Sequence, residues 1–122
     1  RKQEELKDML FVELKNKLVN FMETSAYQQM LERQIRHAKE VAGEEALMVY
    51  LDPVDEDKLQ RIALHMGSGA DIRLSQYSFG GGMRAVIPSK NILIDNSFDS
   101  LIQEAKRHVS FHLTEKGGQG HD

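Results

Sequence analysis

Glu104, His108 and His112 recur at i, i+4 and i+8. On a helix this spacing sends all three side chains along one side. Two imidazoles one turn apart can share a metal ion, with Glu104 as a third ligand. The pattern departs from the paired-histidine zinc signature, because position 109 is Val and no acid stands between the histidines. A hydrolytic zinc site also needs a water-activating base and a shaped cavity. The expectation is therefore no bound metal, with a small metal-dependent enzyme kept as a third reading.

The run Gly80-Gly81-Gly82 invites a phosphate-cradle reading. Such loops lie between a strand and a helix N-terminus, with Lys-Ser/Thr following in the nucleotide-binding version. Here Met83-Arg84 follows and the glycines lead into a strand. Positive φ or a bulge where the chain enters a hairpin is the mechanical alternative. Asp95 and Asp99 are four apart, a spacing open to a carboxylate pair, but they flank Asn96 and Ser97. That setting suits a helix cap, with Asp99 complementing the helix dipole. No Ser-His-Asp or lysine-based nucleophile can be assembled by spacing. The residues predict no enzyme, no catalytic residues and no cofactor.

Composition agrees. There are 122 residues, 40% hydrophobic and 29% charged, enough for one self-standing core. Sixteen Lys and Arg against 19 Asp and Glu leave a net charge of −3, which argues against a nucleic-acid partner. The excess acid lies in residues 43–122, with residues 1–42 near neutral. The absence of Cys excludes disulfides, thiolate metal sites and a cysteine nucleophile, and fits a reducing compartment. No apolar run approaches the roughly 18–20 residues of a membrane span, so no direct membrane insertion is expected. The chain starts at Arg1 without an apolar leader and is read as part of something longer.

The elements that must hold these residues follow from periodicity. Residues 1–22 lack Gly and Pro and carry Leu6, Leu10, Leu14, Leu18 and Phe21 as one stripe, with Phe11 and Met22 beside it. The stripe's mean spacing of about 3.75 exceeds the heptad value, so it drifts toward a straight or right-handed pairing. Thr24 or Ser25 caps a helix over 26–42, stopped by Gly43. Its charged side, Glu32, Arg33, Arg36 and Lys39, reads as solvated.

Ala46–Leu51 is a continuous apolar run and reads as a buried strand. Asp52-Pro53 opens a helix to about His65, with Leu59, Ile62, Ala63 and Met66 inward. Strands follow at 71–76, 83–87 and 92–95, the last two forming a hairpin through Pro88–Asn91. Asn96 or Ser97 caps a last helix reaching Leu113. The fold class is α+β, a four-stranded mixed sheet packed by helices, with an N-terminal helical (coiled-coil) arm. The divisions are 1–23 as the end of a stalk helix, 24–114 as a globular domain and 115–122 as a disordered tail.

Residues 81–102, GGMRAVIPSKNILIDNSFDSLI, resemble a known pattern. Gly81 and Gly82 enter a hairpin, an I-x-I-D strand returns, and Asp95, Asn96, Ser97 and Phe98 open the last helix. This is similar to the C-terminal signature of the E-type subunit of the vacuolar/archaeal-type (V/A-type) ATP synthase, particularly its bacterial members. The order of elements agrees from about Thr24 to Leu113. Leu101 stands where many members have Arg, and the Gly-rich tail replaces a short hydrophobic ending.

The resemblance implies a peripheral-stalk (stator) subunit of a proton- or sodium-translocating ATPase, without catalysis of its own. Its coil would pair with a second stalk subunit of the G or H type, and its globular domain would grip the B-type subunit of the head. It would be cytoplasmic and peripheral to the membrane. The stripe Leu6, Leu10, Phe11, Leu14, Leu18 and Phe21 is the expected partner interface, or a homodimer contact in the isolated chain. The alternative is a stator protein of a flagellar or type III secretion export ATPase.

Overall fold

In the computed structural model, the backbone is described for residues 2–120 and the side chains for 4–109. Helix α1 spans Lys2–Phe21 and α2 Ser25–Ala42. Strand β1 is Met48–Leu51, followed by a 3-10 turn at Pro53–Asp55 and helix α3 at Glu56–Met66. Strands β2 (Asp71–Leu74), β3 (Gly82–Ile87) and β4 (Ile92–Ser97) precede α4, which spans Phe98–Gly120. The fold is α+β, as expected.

The sheet order is β2-β1-β3-β4. β1 runs parallel to β2 and antiparallel to β3, and β3 and β4 form the antiparallel hairpin. Period-2 alternation divides the sheet into two unlike faces. Val49, Leu51, Met83, Ala85 and Ile87 are buried on one face. They form one core with Tyr27, Leu31, Ile35, Ala38 and Ala42 of α2 and Ile62 and Met66 of α3. The other face is open. Asp71, Met48, Val86 and Leu93 lie across it in one row, and Arg73, Tyr50, Arg84 and Asp95 in the next.

This openness corrects the reading of Ala46–Leu51 as a strand buried on both sides. Only Val49 and Leu51 of the strand are fully buried, Met48 and Tyr50 are half-buried, and Ala46 is exposed ahead of it. Among the described residues, no helical layer presses against the open face. The expected helix from Pro53 starts as a 3-10 turn and becomes α only at Glu56. Asp52 caps it as expected, its carboxylate accepting from Val54 N–H at 2.9 Å. Ala63 is exposed rather than inward, because α3 lays its Leu59, Ile62 and Met66 edge on the core.

Helix ends show the local chemistry at work. Gly43 takes φ +64 and donates to the Lys39 carbonyl, ending α2 as expected. Thr24 stands at the N-cap of α2 but its side chain makes no cap bond. Its hydroxyl donates instead to the Phe21 carbonyl at 2.7 Å and closes the end of α1. Lys39 belongs to no purely solvated face: its ammonium donates to the Met66 and Ser68 carbonyls at the end of α3. Glu32 meets His65 across the same helix pair at 2.7 Å. The helical backbone of α4 continues to Gly120, past the expected boundary at 114.

Candidate functional site

The signature residues converge on the junction of β3, β4 and α4. Gly80, Gly81 and Gly82 all have positive φ, which L side chains rarely adopt. The Gly81 carbonyl accepts from Phe98 N–H at 2.9 Å, and the Phe79 carbonyl from Asp99 N–H at 3.0 Å. A Cβ on Gly82 would collide with the Asn96 carbonyl oxygen, and one on Gly81 would press on the Met22 thioether at 2.8 Å. The glycines allow this close backbone approach, in agreement with the mechanical reading.

Asp95 organises the start of α4. Its carboxylate accepts from Ser97 N–H at 3.0 Å, the Ser100 hydroxyl at 2.6 Å and Arg84 Nε at 3.2 Å. Burial alone would raise this carboxyl, but those bonds together hold it down at about 2. Ser97 is the cap, its hydroxyl accepting from Ser100 N–H at 3.3 Å. Asn96 turns its amide to the Met83 sulfur at 3.7 Å. Asp99 stands exposed in the first turn of α4, and the Asp95 carboxylate is bonded to Ser97, Ser100 and Arg84. Phe98 is 4% exposed, its ring tilted against Tyr27 with centroids 5.7 Å apart.

A buried polar brace beneath this junction escaped the sequence reading. The Tyr27 hydroxyl, on α2, donates to Asp55 at 2.5 Å and accepts from Gly82 N–H at 2.8 Å. Asp52 accepts from Phe79 N–H at 2.6 Å and the Ser78 hydroxyl at 2.9 Å in addition to its cap bond. Burial pushes the Asp55 carboxyl up despite bonds from Tyr27 and Lys58. It pushes the Tyr27 phenol up as well, with the Asp55 bond adding to it. In Asp52 the donor bonds from Val54, Phe79 and Ser78 outweigh burial and keep the carboxyl low. The sequence shows Tyr27 only as the first of the residues Tyr27, Met30, Leu31, Ile35, Ala38, Val41 and Ala42 that recur at helical spacing through 26–42. The available signal was chemical: a Tyr among aliphatic core residues must find a partner for its hydroxyl.

A cleft of about 380 Å³ beside the brace is lined by Val19, Met22, Asp52, Val54, Asp55 and Lys58 among others. Asp52 and Asp55 in its lining are engaged by neighbouring donors, and Lys58 lies 3.3 Å from Asp55. These contacts tie α2, the 3-10 turn and β3 together. Glu104 pairs with Arg107 at 2.5 Å along α4, and His108 is exposed nearby. The side chain of His112 lies outside the described residues. Among the described residues, no group of three or more His, Cys, Asp or Glu is placed to hold a metal.

Helix α1 divides its apolar residues between two sides. Phe11 is buried where α1 lies against α4, with Lys106 over its ring at 5.7 Å. Leu18 and Phe21 pack on the core and Leu14 is half-buried. Thus Phe11, Leu18 and Phe21 of the expected partner stripe are turned into this domain. Leu6 is 52% exposed and Leu10 45%. Met9, Val12 and Val19 join them on the surface, Met9 at 68%. Met9, Val12, Asn16 and Val19 are spaced three, four and three apart, the repeat of a coiled-coil seam with one polar position. This seam was hidden in sequence behind the longer Leu stripe.

Among the described residues, no helix is long and apolar enough to cross a membrane. No protein-family model matches the chain, and no curated protein sequence matches it.

Proposed function

We propose that this chain is the C-terminal part of a V/A-type ATPase peripheral-stalk subunit of the E type. It acts as a non-catalytic stator element, cytoplasmic and peripheral to the membrane. The globular domain anchors to the B-type head subunit, and α1 pairs with a second, elongated stalk subunit of the G or H type.

The observation that carries this reading is the two-sided α1. One side is committed to its own domain through Phe11, Leu18 and Phe21. The rest of its surface exposes Leu6, Met9, Leu10, Val12 and Val19, with a heptad-spaced seam among them. A helix of this length is marginal alone and gains stability from packing, and an exposed apolar stripe is commonly a contact surface. Asn16 in the seam supplies the kind of polar position that sets register between helices. The signature residues add support of a second kind: they bond to one another at a junction, as residues conferring rigidity would. A torque-resisting element needs that rigidity and no active site.

Co-expression with a G/H-type stalk subunit tests the reading. A stable heterodimer that also retains the B-type head subunit on capture is the expected result. Failure to pair with the stalk subunit, or stable pairing with an export-ATPase head instead, would overturn it.

A further inference from the structure

The seam of α1 does not stop at its apolar residues. Continued with the same alternation it reads Glu5, Met9, Val12, Asn16, Val19 and Glu23, spaced four, three, four, three and four apart. All six residues are exposed, on the side of the helix turned away from Phe11, Leu18 and Phe21. Glu23 lies just past the end of α1, yet the chain keeps its helical path there. Met22 N–H bonds to the Leu18 carbonyl at 3.0 Å and Glu23 N–H to the Asn20 carbonyl at 3.2 Å. The apolar stretch is thus bracketed by two carboxylates, 18 residues or about 27 Å apart along the helix. Among the described residues, neither carboxylate is in an ion pair. At the Glu23 end the seam runs into the cleft beside the brace, whose lining includes Val19, Glu23, Val54 and Asp57. Val54 is 61% exposed there, and Asp57 lies 3.7 Å from Lys58 with its side chain mostly in solvent.

We propose that this face of α1 receives a helix of a different protein whose own apolar seam is bracketed by basic residues. One Lys or Arg lies opposite Glu5 and another opposite Glu23, with apolar side chains between them. The inference rests on the pairing of α1 proposed above and supplies the chemistry of its partner. Charge excludes a second copy of this chain from the role. In a parallel pair Glu5 meets Glu5 and Glu23 meets Glu23 of the second copy. In an antiparallel pair centred on the seam, Glu5 meets Glu23 of the second copy. Either arrangement sets acid against acid at both ends, and such juxtaposition rejects a partner. The rims of the seam add Asp8 and Glu13 against Lys15, so they do not reverse the sign. A basic partner turns both repulsions into attractions. At the cleft its side chain would lay an aliphatic stem on Val19 and Val54 and bring its charged head to Glu23 and Asp57. Asn16, within the bracket, fixes the register in which the two ends match.

Charge reversal tests the proposal with the chain itself. Glu5→Lys/Glu23→Lys gives basic ends to an otherwise identical seam, and both sites are exposed, so the variant should melt like the parent. In either orientation, a mixed pair sets Lys against Glu at both ends. Sedimentation of parent, variant and their equal mixture should show the mixture associating roughly tenfold or more tightly than either alone. The gain should shrink in high salt. A mixture that associates no better than the parent alone would overturn the proposal, as would a gain that high salt leaves unchanged. A second arm titrates a G/H-type stalk subunit into parent and variant, and the variant should bind roughly tenfold more weakly or worse. Equal binding by both would overturn the basic bracket and leave the stalk reading standing. A parent that binds no stalk subunit would count against the stalk reading, and the mixture would still decide the bracket.

Discussion

The Tyr27 hydroxyl links Asp55, 28 positions away in sequence, to the Gly82 amide, 55 positions away. One phenol thus ties α2 to the turn before α3 and to the first residue of β3. Its ring meanwhile packs edge-on to Phe21 at 5.8 Å and against Phe98. The brace therefore sits where the arm, the sheet and the last helix meet.

Tyr27→Phe keeps the ring and removes the link. Asp55 and the Gly82 N–H would each lose a buried partner, and orphaned buried groups cost about 1–3 kcal/mol apiece. Chemical unfolding should show a loss of about 2–4 kcal/mol. A loss within error of zero would mean that water replaces the hydroxyl without penalty.

Phe98→Ala removes a ring that is 4% exposed between Tyr27 and the Gly81 backbone. Truncations of this kind cost about 3–5 kcal/mol. Equilibrium denaturation checks this, and a cost below about 1 kcal/mol would show that the ring's surroundings collapse onto the space.

Gly82→Ala and Gly43→Ala separate clash from backbone strain. Both residues have positive φ, but only Gly82 has backbone where a Cβ would go, the Asn96 carbonyl. Gly43→Ala should cost about 1 kcal/mol and Gly82→Ala distinctly more. Equal melting temperatures for the two variants would contradict the close-approach account of the glycine run.

Acid should act in two opposed steps. The folded Asp55 carboxyl is raised, so the folded state holds that proton more tightly than the unfolded chain. Stability should rise as pH falls from neutrality toward the unfolded value of about 3.9. Asp52 and Asp95 are lowered, Asp95 to about 2, so the unfolded chain takes up their protons first. Stability contributed by these two is present above about pH 4 and is lost as pH falls through their folded values. Urea midpoints from about pH 7 to about pH 2 should pass through a maximum, and Asp55→Asn should remove the rising limb. A parent midpoint that only falls, with Asp55→Asn parallel to it, would contradict the assignment.

The elements and their order were legible because each carries its own periodicity and stop signal. The helical spacing from Tyr27 to Ala42 and the Gly43 stop needed no tertiary information. What sequence missed depends on neighbours distant in the chain. Met48 and Tyr50 look like core until one knows that, among the described residues, no helix covers the second face of the sheet. The Thr24 hydroxyl had two carbonyl or amide partners within local reach, and only the turn geometry chose Phe21. Tyr27, Asp52 and Asp55 meet across loops whose approach no spacing rule encodes. On α1, the division of apolar residues between α4 and the surface depends on where α4 lies, so the Leu stripe concealed the Met9-Val12-Asn16-Val19 seam.

The pairing of α1 is the claim on which the stalk reading rests most directly. Titrating a G/H-type stalk subunit into the chain and into a Leu6→Gln/Met9→Gln/Val12→Gln variant, with sedimentation as readout, measures it. These three side chains are exposed, so the variant should melt like the parent. The parent should form a one-to-one complex and the variant should bind roughly tenfold more weakly or worse. A parent that forms no complex, or a variant that melts normally and binds as tightly as the parent, would contradict the account.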